Sequence, residues 1–153
     1  MSLDPKRTVA ELKELRALTS DENGAQRVAF TDTWAKAREW IRAQLNELPV
    51  DLHRDEAGNV WATLRGACTD ALLIGDHIDS VPNGGWLDGS LNLLAGVEIL
   101  RRINNQYSGK PLITVRLVED TREAHIELAV TAFDKLADKA MRRVGAGLIG
   151  RCG

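Results

Sequence analysis

The sequence predicts a three-layer α/β fold built on a mixed, partly parallel sheet, and three observations carry that prediction. Apolar residues recur at helical spacing in Trp34, Ala37, Ile41, Leu45 and Leu48. The unbroken apolar run Ala71-Leu72-Leu73-Ile74-Gly75 suits a strand buried on both faces. A second β-rich run, Leu112 to Val118, returns after a helical stretch. A strand–helix–strand connection of that length implies a right-handed crossover and a parallel pair.

The elements follow in order. Thr8-Val9-Ala10-Glu11 fits a capping box, with Val9, Leu12, Leu15 and Leu18 at helical spacing behind it. The polar stretch Ser20 to Arg27, with Gly24 inside it, reads as a loop. A longer helix runs from about Thr33 to Leu48 and stops at Pro49. Val50 to His53 and Asn59 to Leu64 read as two strands joined by a turn through Asp55 to Asn59. Past the Ala71–Gly75 run lies a glycine-rich loop, Pro82-Asn83-Gly84-Gly85, and then a helix from about Gly89 to Asn104. Apolar residues on most of that helix's circumference imply deep packing. Asp120-Thr121-Arg122-Glu123 is a second capping box. It opens an amphipathic helix through Ile126, Val130, Phe133, Met141 and Val144, and the glycine-rich stretch from Gly145 to Gly153 reads as loose. The predicted organisation is one α/β unit over 1–118 and, over 119–153, a helix and tail packed on it. That helix would cover sheet surface or pair with a second copy, giving a homodimer.

Composition narrows the function. With 44% apolar and 27% charged residues, the chain has the make-up of a globular domain. A formal net charge of -2 supplies no basic field for nucleic acid and no polybasic segment for a membrane surface. No apolar run follows the charges of Lys6 and Arg7, so a secretory leader is not expected. Cys68 and Cys152 make no disulfide framework, and a reducing, cytoplasmic setting is the simplest expectation.

The stretch most suited to chemistry is Gly75 to Gly89, which begins at the carboxyl end of a predicted strand, where ligands bind in open α/β sheets. His77, Asp79 and Asp88 offer nitrogen and oxygen donors suited to zinc, manganese or cobalt. A histidine leaving a strand can point one ring nitrogen at a metal while a carboxylate two residues later holds the other, fixing the tautomer. The turn before the next helix could carry Asp88 back to the same ion. The plainer reading leaves His77 in a loop, Asp79 capping a turn and Asp88 capping the helix. His53, in an earlier strand, reads as structural or exposed.

The run from His77 to Leu100, with its Val81-Pro82-Asn83-Gly84-Gly85 step and Asp88-Gly89 followed by Ala95-Gly96-Val97-Glu98, resembles the metal-binding signature of the di-zinc aminoacylase and carboxypeptidase-G-like superfamily. Within it the resemblance is to the hydantoinase/carbamoylase branch, and it covers roughly residues 8 to 118. It implies a zinc-peptidase-like catalytic domain, here truncated, with Zn or Mn/Co as cofactor. It also implies hydrolysis of C–N bonds in N-carbamoyl amino acids or allantoate. By that resemblance His77 is a metal ligand, Asp79 orients it, Asp88 bridges two metals, and the Asp88–Gly89 peptide is a candidate cis bond. Asp76 departs from the small residue usual before the histidine.

The family's next motif, two glutamates and a glycine after the following strand, is not restored in any register. One register puts the general base at Glu123, with Ala124 and His125 in the remaining positions. Another uses the pair Glu119-Asp120, with Thr121 in place of the glycine. Glu123 is preferred as the last residue of its capping box. Two strong ligand candidates, His77 and Asp88, are fewer than the three a catalytic metal generally needs. Weak metal binding and little hydrolysis from the chain alone are therefore expected. The alternative is a non-catalytic or engineered α/β module with a self-associating helix.

Overall fold

The computed structural model describes residues 3–68, 70–108, 111 and 113–120. In chain order its elements are α1 (Pro5–Thr19), β1 (Ser20–Asp21), β2 (Gly24–Ala25), α2 (Asp32–Asn46), β3 (Asp51–Arg54), β4 (Val60–Leu64), β5 (Ala71–His77), α3 (Ser90–Tyr107) and β6 (Thr114–Asp120). The second amphipathic helix, Glu123, His125 and the glycine-rich tail lie outside the described residues, and so does the self-association assigned to that helix.

The main sheet is mixed, in the order β3-β4-β6-β5. Strand β6 runs antiparallel to β4 and parallel to β5, as the crossover through α3 requires. Alternation along β4 and β6 explains the layering. Ala62, Leu64, Val115 and Leu117 are buried, whereas Trp61, Thr63, Arg116 and Val118 between them are only half-buried. The buried set packs against Leu12 and Leu15 of α1, Ala37 and Ile41 of α2, and Leu94 and Val97 of α3. Among the described residues, the helices thus cover one face of the sheet. On the other side of the pleat the Arg116 guanidinium stacks 4.3 Å from the Trp61 ring centroid.

Several boundaries differ from expectation for identifiable reasons. Helix α1 begins at Pro5, not Thr8, because Asp4 accepts hydrogen bonds from the Lys6 and Arg7 amides and proline suits the first turn. Two residues of its predicted apolar stripe, Val9 and Leu18, are each 47% exposed. The buried positions include Glu11 instead. Helix α2 starts one residue before Thr33, where Thr31 caps the Trp34 amide. Strand β5 is half-buried rather than buried on both faces, since in the described sheet it lies at the edge with β6 as its one neighbour. Helix α3 packs deeply, as expected, yet Leu91 is 43% exposed while Glu98 and Arg101 are buried.

Those two charges are satisfied across the helix layer. Arg101 Nη1 lies 2.6 Å from Glu11 Oε1, and Arg7 Nη2 lies 2.5 Å from Glu98 Oε2. The Asp4 amide donates to Glu98 Oε1 at 2.8 Å, and Arg101 Nη2 donates to Gln44 at 3.0 Å. Cys68 lies in the turn after β4, and Cys152 lies outside the described residues. Among the described residues no helix is long and apolar enough to cross a membrane.

Candidate metal centre

The parallel pair delivers chemistry-bearing residues to one edge of the sheet. In the β5–β6 register His77 stands beside Asp120 and Asp76 beside Glu119, all at the carboxyl ends of their strands. His77 Nδ1 lies 3.0 Å from the Asp79 main-chain oxygen and 3.5 Å from the Asp79 carboxylate. The expected orienting contact is therefore made by Asp79, with its carbonyl rather than its carboxylate closest. An Nδ1–H donated to that carbonyl leaves Nε2 with its lone pair available to an electrophile. The Asp76 carboxylate lies 3.8 Å from that Nε2 and accepts from the His77 amide at 2.9 Å and from Asn92 Nδ2 at 2.7 Å.

Asp88 does not cap the helix. The cap position of α3 is Gly89, with no side-chain hydrogen bond, and Asp88 is exposed. The chain reverses there through a tight turn in which the Ser90 amide donates to the Asp88 carbonyl at 2.6 Å, with Gly89 at φ 64 and ψ -51. This is the strained γ-turn geometry that favours glycine. The described residues contain no cis peptide bond, so the cis expectation at Asp88–Gly89 is not met; the γ-turn makes the reversal instead. Glycine is required there for a second reason. A Cβ on Gly89 would stand 2.3 Å from the His77 carbonyl oxygen and 2.7 Å from its Cε1 and Nδ1 atoms. The turn that carries Asp88 is thus pressed directly onto the His77 ring.

The loop that closes the site is held by residues the sequence reading took for a plain connection. Within Ser20 to Arg27 lies the hairpin β1–β2, and Ala25 exchanges backbone hydrogen bonds with Gly84 at 2.9 and 3.1 Å. Arg27 is fully buried. Its guanidinium donates to the Ile78 carbonyl at 2.8 Å, to Thr19 Oγ1 at 3.2 Å and to the Trp86 carbonyl at 3.4 Å. Its own backbone pairs with Ser80 through the Arg27 amide, at 3.0 Å, and the Ser80 amide, at 2.9 Å. Burial lowers the Arg27 pKa, opposed by the nearby charges of Asp79 and Asp88. No periodicity marks such a residue. Only an arginine ending a polar stretch between two apolar segments hinted at it.

Glu119, buried at the end of β6, faces Arg38 of α2, with Nε 2.8 Å from Oε2. Burial pushes its pKa up to about 7 despite that partner, and the charges of Asp79 and Asp120 push the same way. Of the two registers open to the sequence, the structure sets Asp120 next to His77, whereas Glu123 lies outside the described residues. The signal was the length of the last strand, which runs two residues past Val118.

The donor set has the right chemistry for a divalent metal but is incomplete. Among the described residues no three His, Cys, Asp or Glu side chains gather closely enough to hold an ion. By themselves these residues do not fit a closed metal site.

The mixed sheet and the crossover define an α/β domain that sets the His77 loop at the carboxyl ends of its parallel strands. The comparisons with known proteins specify it further. The chain is 37% identical over 83 residues to an N-carbamoyl-L-amino acid amidohydrolase of Geobacillus stearothermophilus, a match covering 53% of this chain and 20% of that protein. It is 30% identical over 105 residues to an allantoate amidohydrolase of Bacillus subtilis, covering 66% of this chain and 26% of the relative. A hydantoinase/carbamoylase family amidase from Burkholderia multivorans superposes with a TM-score of 0.74 at 28% identity, over 80% of this chain and 30% of that one. A related amidase from Burkholderia phymatum gives a TM-score of 0.68 at 30% identity, over 77% and 29% of the two chains. No protein-family model matches. Over its matched part the chain is similar to amidases of the hydantoinase/carbamoylase family, as a fragment of such a protein would be, and it spans under a third of the length of these relatives.

Proposed function

We propose that this chain supplies part of a metal-dependent amidohydrolase acting on C–N bonds of N-carbamoyl amino acids or allantoate. His77 and Asp88 are its metal ligands, for zinc, manganese or cobalt. Asp79 is a positioning residue, acting through the His77 ring. Glu123 is retained as a candidate base, and Asp120 joins it because β6 carries that carboxylate to the His77 end of the sheet. One observation carries the reading: the His77 ring is held at Nδ1 by Asp79 while the Asp88–Gly89 turn packs against it. A helix-capping role for Asp88 would account for neither contact. With too few ligands among the described residues, the chain alone binds metal weakly and hydrolyses little.

Equilibrium dialysis against Zn2+ and Co2+ tests the proposal. Uptake by the parent chain is expected to be well below one equivalent at micromolar metal and to saturate at higher concentration. His77→Ala and Asp88→Ala should each remove it, with far-ultraviolet circular dichroism unchanged. Uptake indifferent to both substitutions, or absent even at millimolar metal, overturns the ligand assignment.

A further inference from the structure

A cavity of about 330 Å³ opens between α2 and β3, at the opposite edge of the described sheet from the strand that carries His77. Arg38, Arg42 and Arg54 face it, against one carboxylate, Glu39. The charge of Arg38 is already taken by Glu119 at 2.8 Å. The side chains of Arg42, His53 and Arg54 form no hydrogen bond or ion pair among the described residues. Trp34 supplies one wall. The Arg38 guanidinium lies 4.6 Å from its ring centroid, and Phe30 meets it in a tilted contact at 5.2 Å. The residue is 7% exposed, and its indole N–H is buried without an acceptor. Leu52 and Val60 add an apolar floor.

We infer that this cavity is a binding site for a small organic anion, a carboxylate or phosphate group on an apolar body. Two unpaired guanidiniums present forked donors that match the oxygens of such a group. Leu52 and Val60 receive the body, beside the exposed rim of Trp34. A volume of about 330 Å³ lies within the range of small-molecule sites. The site uses none of His77, Asp79, Asp88 or Glu123, so it stands or falls apart from the metal reading.

The test follows the four tryptophan indole N–H resonances of the ¹⁵N-labelled chain, with Trp34 assigned through Trp34→Phe. Phenyl phosphate, benzoate and neutral benzamide are titrated at constant ionic strength. The Trp34 resonance, reporting an anion bound beside its ring, should shift saturably with an anion and stay fixed with benzamide. Tighter binding of phenyl phosphate points to a phosphate ester as the natural ligand, and tighter binding of benzoate to a carboxylic acid. Arg42→Gln and Arg54→Gln, both at exposed positions, should each weaken binding roughly tenfold. No saturable shift with either anion, an equal response to benzamide, or affinity unchanged in both arginine variants overturns the inference.

Discussion

Replacing Glu119 by glutamine should flatten part of the pH dependence of stability. Glu119 is 3% exposed, and its pKa stands at about 7 where the ordinary value is 4.5. The native state therefore holds this proton more tightly than the unfolded chain. The stability it confers is fully present below pH 4.5 and is lost as the pH rises through about 7. At about 1.36 kcal/mol per pKa unit, the displacement corresponds to about 3 kcal/mol. Solvent screening takes little from this figure, because both Glu119 and its partner Arg38 are largely shielded, with side chains 4% and 10% exposed. Urea unfolding of the parent and of Glu119→Gln at pH 5 and pH 8 measures the effect as a difference of differences, which cancels carboxylates common to both. The parent should lose about 2 to 3 kcal/mol more than the variant between the two pH values. Equal losses would refute the assignment of a buried, proton-retaining carboxyl at the end of β6.

Gly89→Ala should destabilise the fold by about 2 kcal/mol or more, because alanine resists the positive φ and its Cβ meets the His77 carbonyl. The same variant should shift the His77 ring resonances and reduce metal uptake; a variant with parental melting and spectra would contradict the packed turn. Arg27→Lys should cost about 2 kcal/mol, since one ammonium cannot serve the Ile78, Thr19 and Trp86 acceptors together. Its chemical denaturation midpoint decides this, and a midpoint equal to that of the parent would show that the loop does not depend on the guanidinium.

What the sequence disclosed followed from periodicity and local rules. Trp34, Ala37, Ile41 and Leu45 are buried together because a helix repeats every 3.6 residues. The parallel β5–β6 pair followed from chain connectivity, and His77 with Asp79 from a two-residue step off a strand. What stayed hidden was non-local. Glu11 and Arg101 are buried because they find each other from different helices, and no residue-type pattern announces a partner 90 positions away. Arg27 looked like the end of a loop because its acceptors lie 51 and 59 residues further along. The turn at Gly89 was anticipated, but not its conformation, since a γ-turn and a cis peptide reverse the chain equally well from the same residues. The pair Glu119-Asp120 was one of two readings of an acidic run, and its place beside Asp76 and His77 depended on the strand register.

The ionic seam between α1 and α3 gives the first few residues a role that their meagre apolar area conceals. Asp4 and Arg7 together occupy both oxygens of Glu98, whose carboxylate is almost wholly enclosed. Shaving the chain back past Arg7 would strip away no core side chain, yet it would abandon an enclosed anion to Arg101 alone, 3.9 Å distant. Orphaning one half of such a pair is among the costlier single changes a fold can suffer. The leading edge of α1 thus behaves as a clasp, and a domain trimmed for convenience at that end should melt early with its hydrophobic interior untouched.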